Sequence, residues 1–98
     1  MARRVAWTQK ARDRLQAIFL RIKDDNPEAA RRWREEINQA ARSLDELYER
    51  GRVVPELGIT DIRELLLGNY RLIYEIEPKR VVILSVRHGS QNPDTFRL

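Results

Sequence analysis

Midway along this chain the spacing of apolar residues changes from three-and-four to two, and that change restricts the fold more than any other feature. From Lys10 to Lys23 the apolar positions Ala11, Leu15, Ile18, Phe19 and Ile22 recur at helical spacing, which predicts an amphipathic helix. Ala30, Trp33, Ile37, Ala40, Leu44 and Leu47 repeat the pattern and predict a second helix. Further on, "YRLIYEI" (70–76) alternates, with Tyr70, Leu72, Tyr74 and Ile76 on one side and Arg71, Ile73 and Glu75 on the other. That is the period of a half-buried strand. "VVILSV" (81–86) is a β-branched run suited to a buried strand. "IRELLL" is apolar enough for a strand, although its leucines would also fit a helix. Two amphipathic stripes need an apolar partner, and one face of a small sheet supplies it.

Local signals divide these segments. "RRVAWT" (3–8) alternates and predicts a first or edge strand, with Thr8 as N-cap of the helix that follows. In "DDNPEAA" (24–30) Asn26 can cap the second helix, Pro27 suits its first turn, and Glu28 favours the positive end. The second helix is expected to end near Arg50-Gly51, where glycine tolerates a left-handed stop. A link this short predicts an antiparallel helical hairpin. "GRVVPELG" (51–58) reads as a loop or irregular edge, with Pro55 opposing a central strand. "GN" (68–69) and "EPKR" (77–80) supply turns. The fold class expected is α+β in the order β-α-α-β-β-β, the hairpin lying on one face of a small, mostly antiparallel, four-stranded sheet. Residues 1–98 form one domain with a core over about 3–89, and the polar segment 90–98 is expected to be a flexible tail.

Composition excludes several chemistries. There is no cysteine and one histidine, which argues against thiol chemistry and transition-metal sites; no cofactor is expected. No apolar run approaches the ~20 residues of a membrane span. "MARRVAWTQ" has no apolar stretch behind its charges. A cytoplasmic protein without a membrane partner is expected. Glycine-rich phosphate loops, GxSxG and HExxH are absent. Ser43, Ser85 and Ser90 have only His88 to pair with, a weak basis for a triad. The net charge is +4, and the chain carries sixteen arginines against three lysines. Arginine is the better bidentate phosphate ligand, although an arginine-rich proteome would give the same count. Arg63, Arg71, Arg87 and His88 are therefore the candidates for handling phosphate. Metal-free RNA cleavage needs only such groups: a base for the ribose 2′-hydroxyl, cations for the pentavalent phosphorus, and an acid for the leaving oxygen.

"WTQKARDRLQAI", "NPEAARR", "GRVVPELG", "IRELLLGNYRLIYEI" and "VVILSVRHG" occur in that order over about residues 5–89. The ordered set resembles the RelE/ParE superfamily of toxins from toxin–antitoxin pairs. The resemblance implies the strand–helix–helix–three-strand fold and a cognate antitoxin whose C-terminal segment wraps and neutralises the toxin. RelE-like members cut mRNA in the ribosomal A site without metal; ParE-like members poison DNA gyrase and lack a complete nuclease set. By resemblance, Glu56 stands where some nucleases carry a catalytic glutamate, Arg71 matches a phosphate-binding arginine, and His88 lies within about a residue of a late histidine. The tail "GSQNPDTFRL" lacks the terminal tyrosine and extra basic residues of the best nuclease branch. The text "VPELG…RELLLGNYR…VRHG" reads more like the ParE-type or plasmid-stabilisation branch.

Each candidate has a structural alternative. Arg71 lies opposite the helix-packed face and, as an exposed sheet arginine, could pair with Glu75. Such surface pairs contribute roughly 0–1 kcal/mol, so its replacement would test function more than folding. Arg63 could be a cross-strand partner of the neighbours of Arg71, His88 an idle strand-end residue, and Glu56 a loop residue common to gyrase-type relatives. Tyr70, Tyr74, Trp7 and Trp33 read as packing residues.

Three functions stay open. The chain could be a binding-only toxin acting on gyrase, towards which the sequence leans. It could be a ribosome-dependent mRNA endonuclease using Glu56 as base, Arg63 and Arg71 on the phosphate and His88 as acid. It could be a non-toxic member that only binds its antitoxin. An acidic antitoxin, laid over the helices or added to a sheet edge, is common to all three; no small-molecule ligand is expected.

Overall fold

The computed structural model describes residues 2–89. Its elements are β1 (Arg4–Trp7), α1 (Gln9–Asp25), α2 (Pro27–Ser43), β2 (Arg52–Val53), β3 (Ile62–Leu67), β4 (Tyr70–Ile76) and β5 (Arg80–His88). The helices begin where their caps predict. The Thr8 side chain accepts from the Ala11 amide, and that of Asn26 accepts from the Ala29 amide, with Pro27 in the first turn of α2. Asn26 closes α1 and opens α2, so the second helix turns back along the first.

The sheet has five strands in the order β1-β5-β4-β3-β2; β1 runs parallel to β5 and every other pair is antiparallel. The expected four strands are joined by β2, which pairs with Arg63 and Glu64 at the edge. "IRELLL" is a strand. The turn after it places Gly68 at φ +60, with Asn69 left of zero, the sign pattern of a type II′ hairpin turn.

Both helices lie on one face. Leu65, Leu72, Tyr74, Val81, Ile83 and Val86 meet Ala11, Ile18, Ile37, Ala40, Ala41 and Leu44 in the main core. Trp7, Trp33 and Tyr70 pack against it, half-buried. Complete burial of one such aliphatic side chain, as at Ile37, contributes about 1.5–3 kcal/mol. A smaller cluster of Val54 and Ile73, with Leu57, Ile62 and Leu84 against it, occupies the other face. The alternation of β4 is therefore as its period predicts.

The second helix ends at Ser43 rather than near Arg50. The Leu44 and Asp45 amides bond three residues back, to Ala41 and Arg42, and the Ser43 hydroxyl donates to the Ala40 carbonyl. The Asp45 carbonyl then accepts from Arg3, which ties the turn to the start of β1. Leu44 is buried but Leu47 is 57% exposed, so the apolar stripe outlasts the helix. Gly51 does not adopt a left-handed backbone. Its amide donates to Tyr74 Oη at 2.9 Å, and that hydroxyl donates to the Tyr48 carbonyl at 2.8 Å. The glycine is there because the tyrosine comes too close for a side chain.

A β-bulge modifies β5. Tyr74 pairs with Ile83 but Ile73 pairs with Ser85, which leaves Leu84 as the extra residue. Strict alternation from Ile83 would send Arg87 to the helix side. The bulge reverses the parity, so Val86 and His88 face the helices while Arg87 stands opposite Arg71.

Candidate functional site

On the face of the sheet away from the helices, the hairpin turn at Gly68 sets β3 and β4 in register so that Glu64 and Arg71 lie diagonally beside each other. Arg71 Nε donates to Glu64 Oε1 at 2.6 Å. Its Nη1 and Nη2 donate to Glu56 Oε2 and Oε1 at 2.8 and 2.6 Å, a two-pronged pair. Glu64, with no exposed side-chain surface, also accepts from Arg52 Nε at 2.7 Å. Two arginines and two glutamates thus make a neutral cluster. Arg71 is 6% exposed. It is neither the exposed residue expected nor a partner of Glu75, because the segment carrying Glu56 folds over it.

The cluster tunes its members. The hydrogen bonds from Arg71 pull the Glu56 carboxyl from the ordinary 4.5 down to about 2, against the opposing effect of burial. The Glu56 and Glu64 carboxylates raise the Arg71 guanidinium above its usual value. A carboxylate with a lowered native pKa stabilises the fold fully above its unfolded value and loses that contribution as pH falls through its native value. Stability from Glu56 is therefore expected to drain away between about pH 4.5 and about pH 2. Urea midpoints across that range should fall more steeply for the native chain than for Glu56→Gln.

The other candidates are not all nearby. Arg63 sits on the helix side, opposite Tyr74 and Val53, and its Nη1 donates to the Gly51 carbonyl at 3.1 Å and, more weakly, to that of Glu49. It fastens the segment leading into β2 and does not join Arg71. Arg87 is the cross-strand neighbour of Arg71 and is 3% exposed; burial first, then Arg14 and Arg71, lower its guanidinium pKa. His88 packs edge-on against Tyr70 at 5.3 Å, and Tyr70 against Trp33 at 5.2 Å. A groove of about 630 Å³ at this end of the sheet is lined by Glu56, Arg71 and His88, together with Arg52, Tyr70 and Gly89. Three of the four nuclease candidates therefore border one groove, and Arg63 does not.

Sequence reasoning passed over Arg52 and Glu64. A signal for Glu64 exists: a two-residue turn at 68–69 pairs 66 with 71, so 64 shares the face of Arg71, and a carboxylate inside an apolar strand requires a cation. Among the described residues no group of histidine and acidic side chains could hold a metal, and no helix is long and apolar enough to cross a membrane.

A model of the family described as the ParE toxin of the type II toxin–antitoxin system parDE matches residues 5–93. This chain belongs to the ParE toxin family. No match was found among curated proteins. Among solved structures, the chromosomal ParDE toxin–antitoxin system from P. aeruginosa is similar at a TM-score of 0.75 with 22% identity, over 89% of this chain and 96% of that one. The RelBE2 toxin–antitoxin complex from Mycobacterium tuberculosis is similar at 0.62 with 25% identity, over 90% and 99%. The ParE family and the two-helix, mixed-sheet fold agree with the resemblance read from the sequence. In this ParE-family chain the groove with Glu56, Arg71 and His88 lies at the ends of β4 and β5.

Proposed function

We propose that this chain is a toxin held by a cognate antitoxin, and that it acts by binding DNA gyrase rather than by cutting RNA. One observation carries the choice: Glu56 is clamped two-pronged by Arg71 and held near a pKa of 2. A general base works best with a pKa near the working pH, and a carboxylate stabilised as an anion takes up a proton poorly. The same clamp turns Arg71 towards protein carboxylates, so a phosphate would first have to displace Glu56. Membership of the ParE family supports the same direction. The similarity to solved toxin–antitoxin complexes supports the antitoxin.

The nuclease alternative is favoured by the shared groove of Glu56, Arg71 and His88. Two measurements separate the readings. Purified toxin at micromolar concentration is expected to block supercoiling of relaxed plasmid by gyrase, and mRNA from briefly induced cells is expected to show no codon-phased cuts by primer extension. Intact supercoiling, together with phased cuts that disappear in His88→Ala, would instead establish the endonuclease. Induction without any effect on growth would leave only antitoxin binding.

A further inference from the structure

Two arginines border the groove, and their donors are used differently. Arg71 places its Nε on Glu64 and its Nη groups on Glu56. Arg52 gives only its Nε, to Glu64 Oε2, and among the described residues its Nη groups have no acceptor. The Arg52 side chain is 55% exposed, against 7% for Arg71. The difference follows from position. Arg52 stands on β2, the outermost strand, directly across from Glu64, whereas Arg71 is two strands further in, beneath Glu56. Glu64 is shared between both guanidiniums and Glu56 bonds to Arg71 alone, acting on Arg52 only at a distance. Arg52 is therefore the cation with the smaller share of negative charge, and Glu64 fixes one side of it while its fork lines the groove.

We propose that Arg52 and Leu66 are the residues by which this groove grips a protein segment offering a carboxylate next to an aliphatic side chain, and that Arg71 acts there only by holding Glu64 and Glu56 in position. Leu66 pairs across the strands with Arg71, so it shares the face of the cluster, yet it is 55% exposed. Pro55, also exposed, lies on the same lining. Apolar surface combined with arginine is what protein interfaces enrich, and the two Nη groups of one guanidinium match the two oxygens of a carboxylate. A nucleic-acid strand is a poorer fit, since its affinity comes from a row of cations along the phosphates, and here the carboxylates of Glu56 and Glu64 balance the two arginines. The assignment of the segment to gyrase rests on the function proposed above; the site itself does not.

Titration of the full chain with isocaproate, a branched aliphatic carboxylate, against sodium chloride of equal ionic strength tests the site. The Leu66 methyl and Arg52 Nε resonances are expected to move saturably with isocaproate. Arg52→Gln should weaken that binding by about tenfold, whereas Lys79→Gln, at the opposite end of β4, should leave it unchanged. Shifts no larger than those with chloride, equal binding by Arg52→Gln, or displacement of isocaproate by a short single-stranded oligonucleotide would each overturn the proposal. The partner is tested with gyrase. Arg52→Lys keeps a cation for Glu64 but loses the fork, and Leu66→Ser removes only exposed apolar surface. Each should raise the toxin concentration that halves supercoiling by about tenfold, with the urea midpoint as in the native chain. Unaltered inhibition by both variants overturns the assignment to gyrase. A native chain that leaves supercoiling intact removes the function proposed above, while the isocaproate result still decides the site.

Discussion

Arg71→Ala is expected to destabilise the fold by about 3–5 kcal/mol, because removing one partner of a buried ion pair leaves the remaining charges unpaired. Glu64 has no exposed side-chain surface and would retain only Arg52, itself about half exposed; Glu56 would lose both prongs of its pair. Urea denaturation followed by circular dichroism measures the change. A loss below about 1 kcal/mol would return Arg71 to the class of exposed surface pairs. Replacing the three more buried members of the cluster, with Arg71→Leu, Glu64→Leu and Glu56→Ala together, should recover much of the loss, since the one charge that remains, Arg52, is about half exposed and keeps its contact with water. The consequence for function is direct. Loss of toxicity in Arg71→Ala reports on chemistry only after correction for the folded fraction, contrary to what an exposed arginine would permit.

Gly51→Ala is expected to cost about 1–3 kcal/mol, the range for forcing an extra carbon into a packed interior. A Cβ at this position would stand 2.5 Å from Tyr74 Oη and 2.7 Å from the Glu64 carbonyl oxygen. The hydroxyl can retreat only by giving up its bonds with the Gly51 amide and the Tyr48 carbonyl, and the carbonyl belongs to the pairing of β2 with β3. The double variant Gly51→Ala/Tyr74→Phe separates the two contributions. If the tyrosine contact dominates, the double variant should be less destabilised than the sum of the single changes in thermal denaturation. Strict additivity would show that the backbone contact carries the cost. A change confined to the end of α2, with the core unaffected, would contradict this account.

Arg71 and Gly51 mark where local reasoning stops. The alternation Tyr70, Leu72, Tyr74 and Ile76 identified the helix-facing side of β4 because side-chain direction along a strand follows from backbone geometry. Thr8, Asn26 and Pro27 marked the helix starts because capping satisfies amides only a few residues away. The apolar stripe did not locate the end of α2: it continues to Leu47, while hydrogen bonds from Arg3 and Ser43 redirect the chain after Ser43. Among the site residues, Arg71 was placed on the correct face but given the wrong exposure. Burial there comes from Glu56, fifteen positions earlier, on a segment with no period of its own.

What the amino-acid order determined by itself was therefore the order of the two helices and of the strands around them, the helix-facing side of β4, and a resemblance to the RelE/ParE superfamily. All three follow from short-range spacing and ordered motifs. The tertiary structure alone decided that Arg71 spends its donors on Glu56 and Glu64, that Arg63 is on the other side of the sheet, and that the bulge at Leu84 turns Arg87 to stand beside Arg71. These depend on strand register and on loops folding back across the sheet. Charges distant in the chain become neighbours only when such packing closes, and water gives way to protein partners only then.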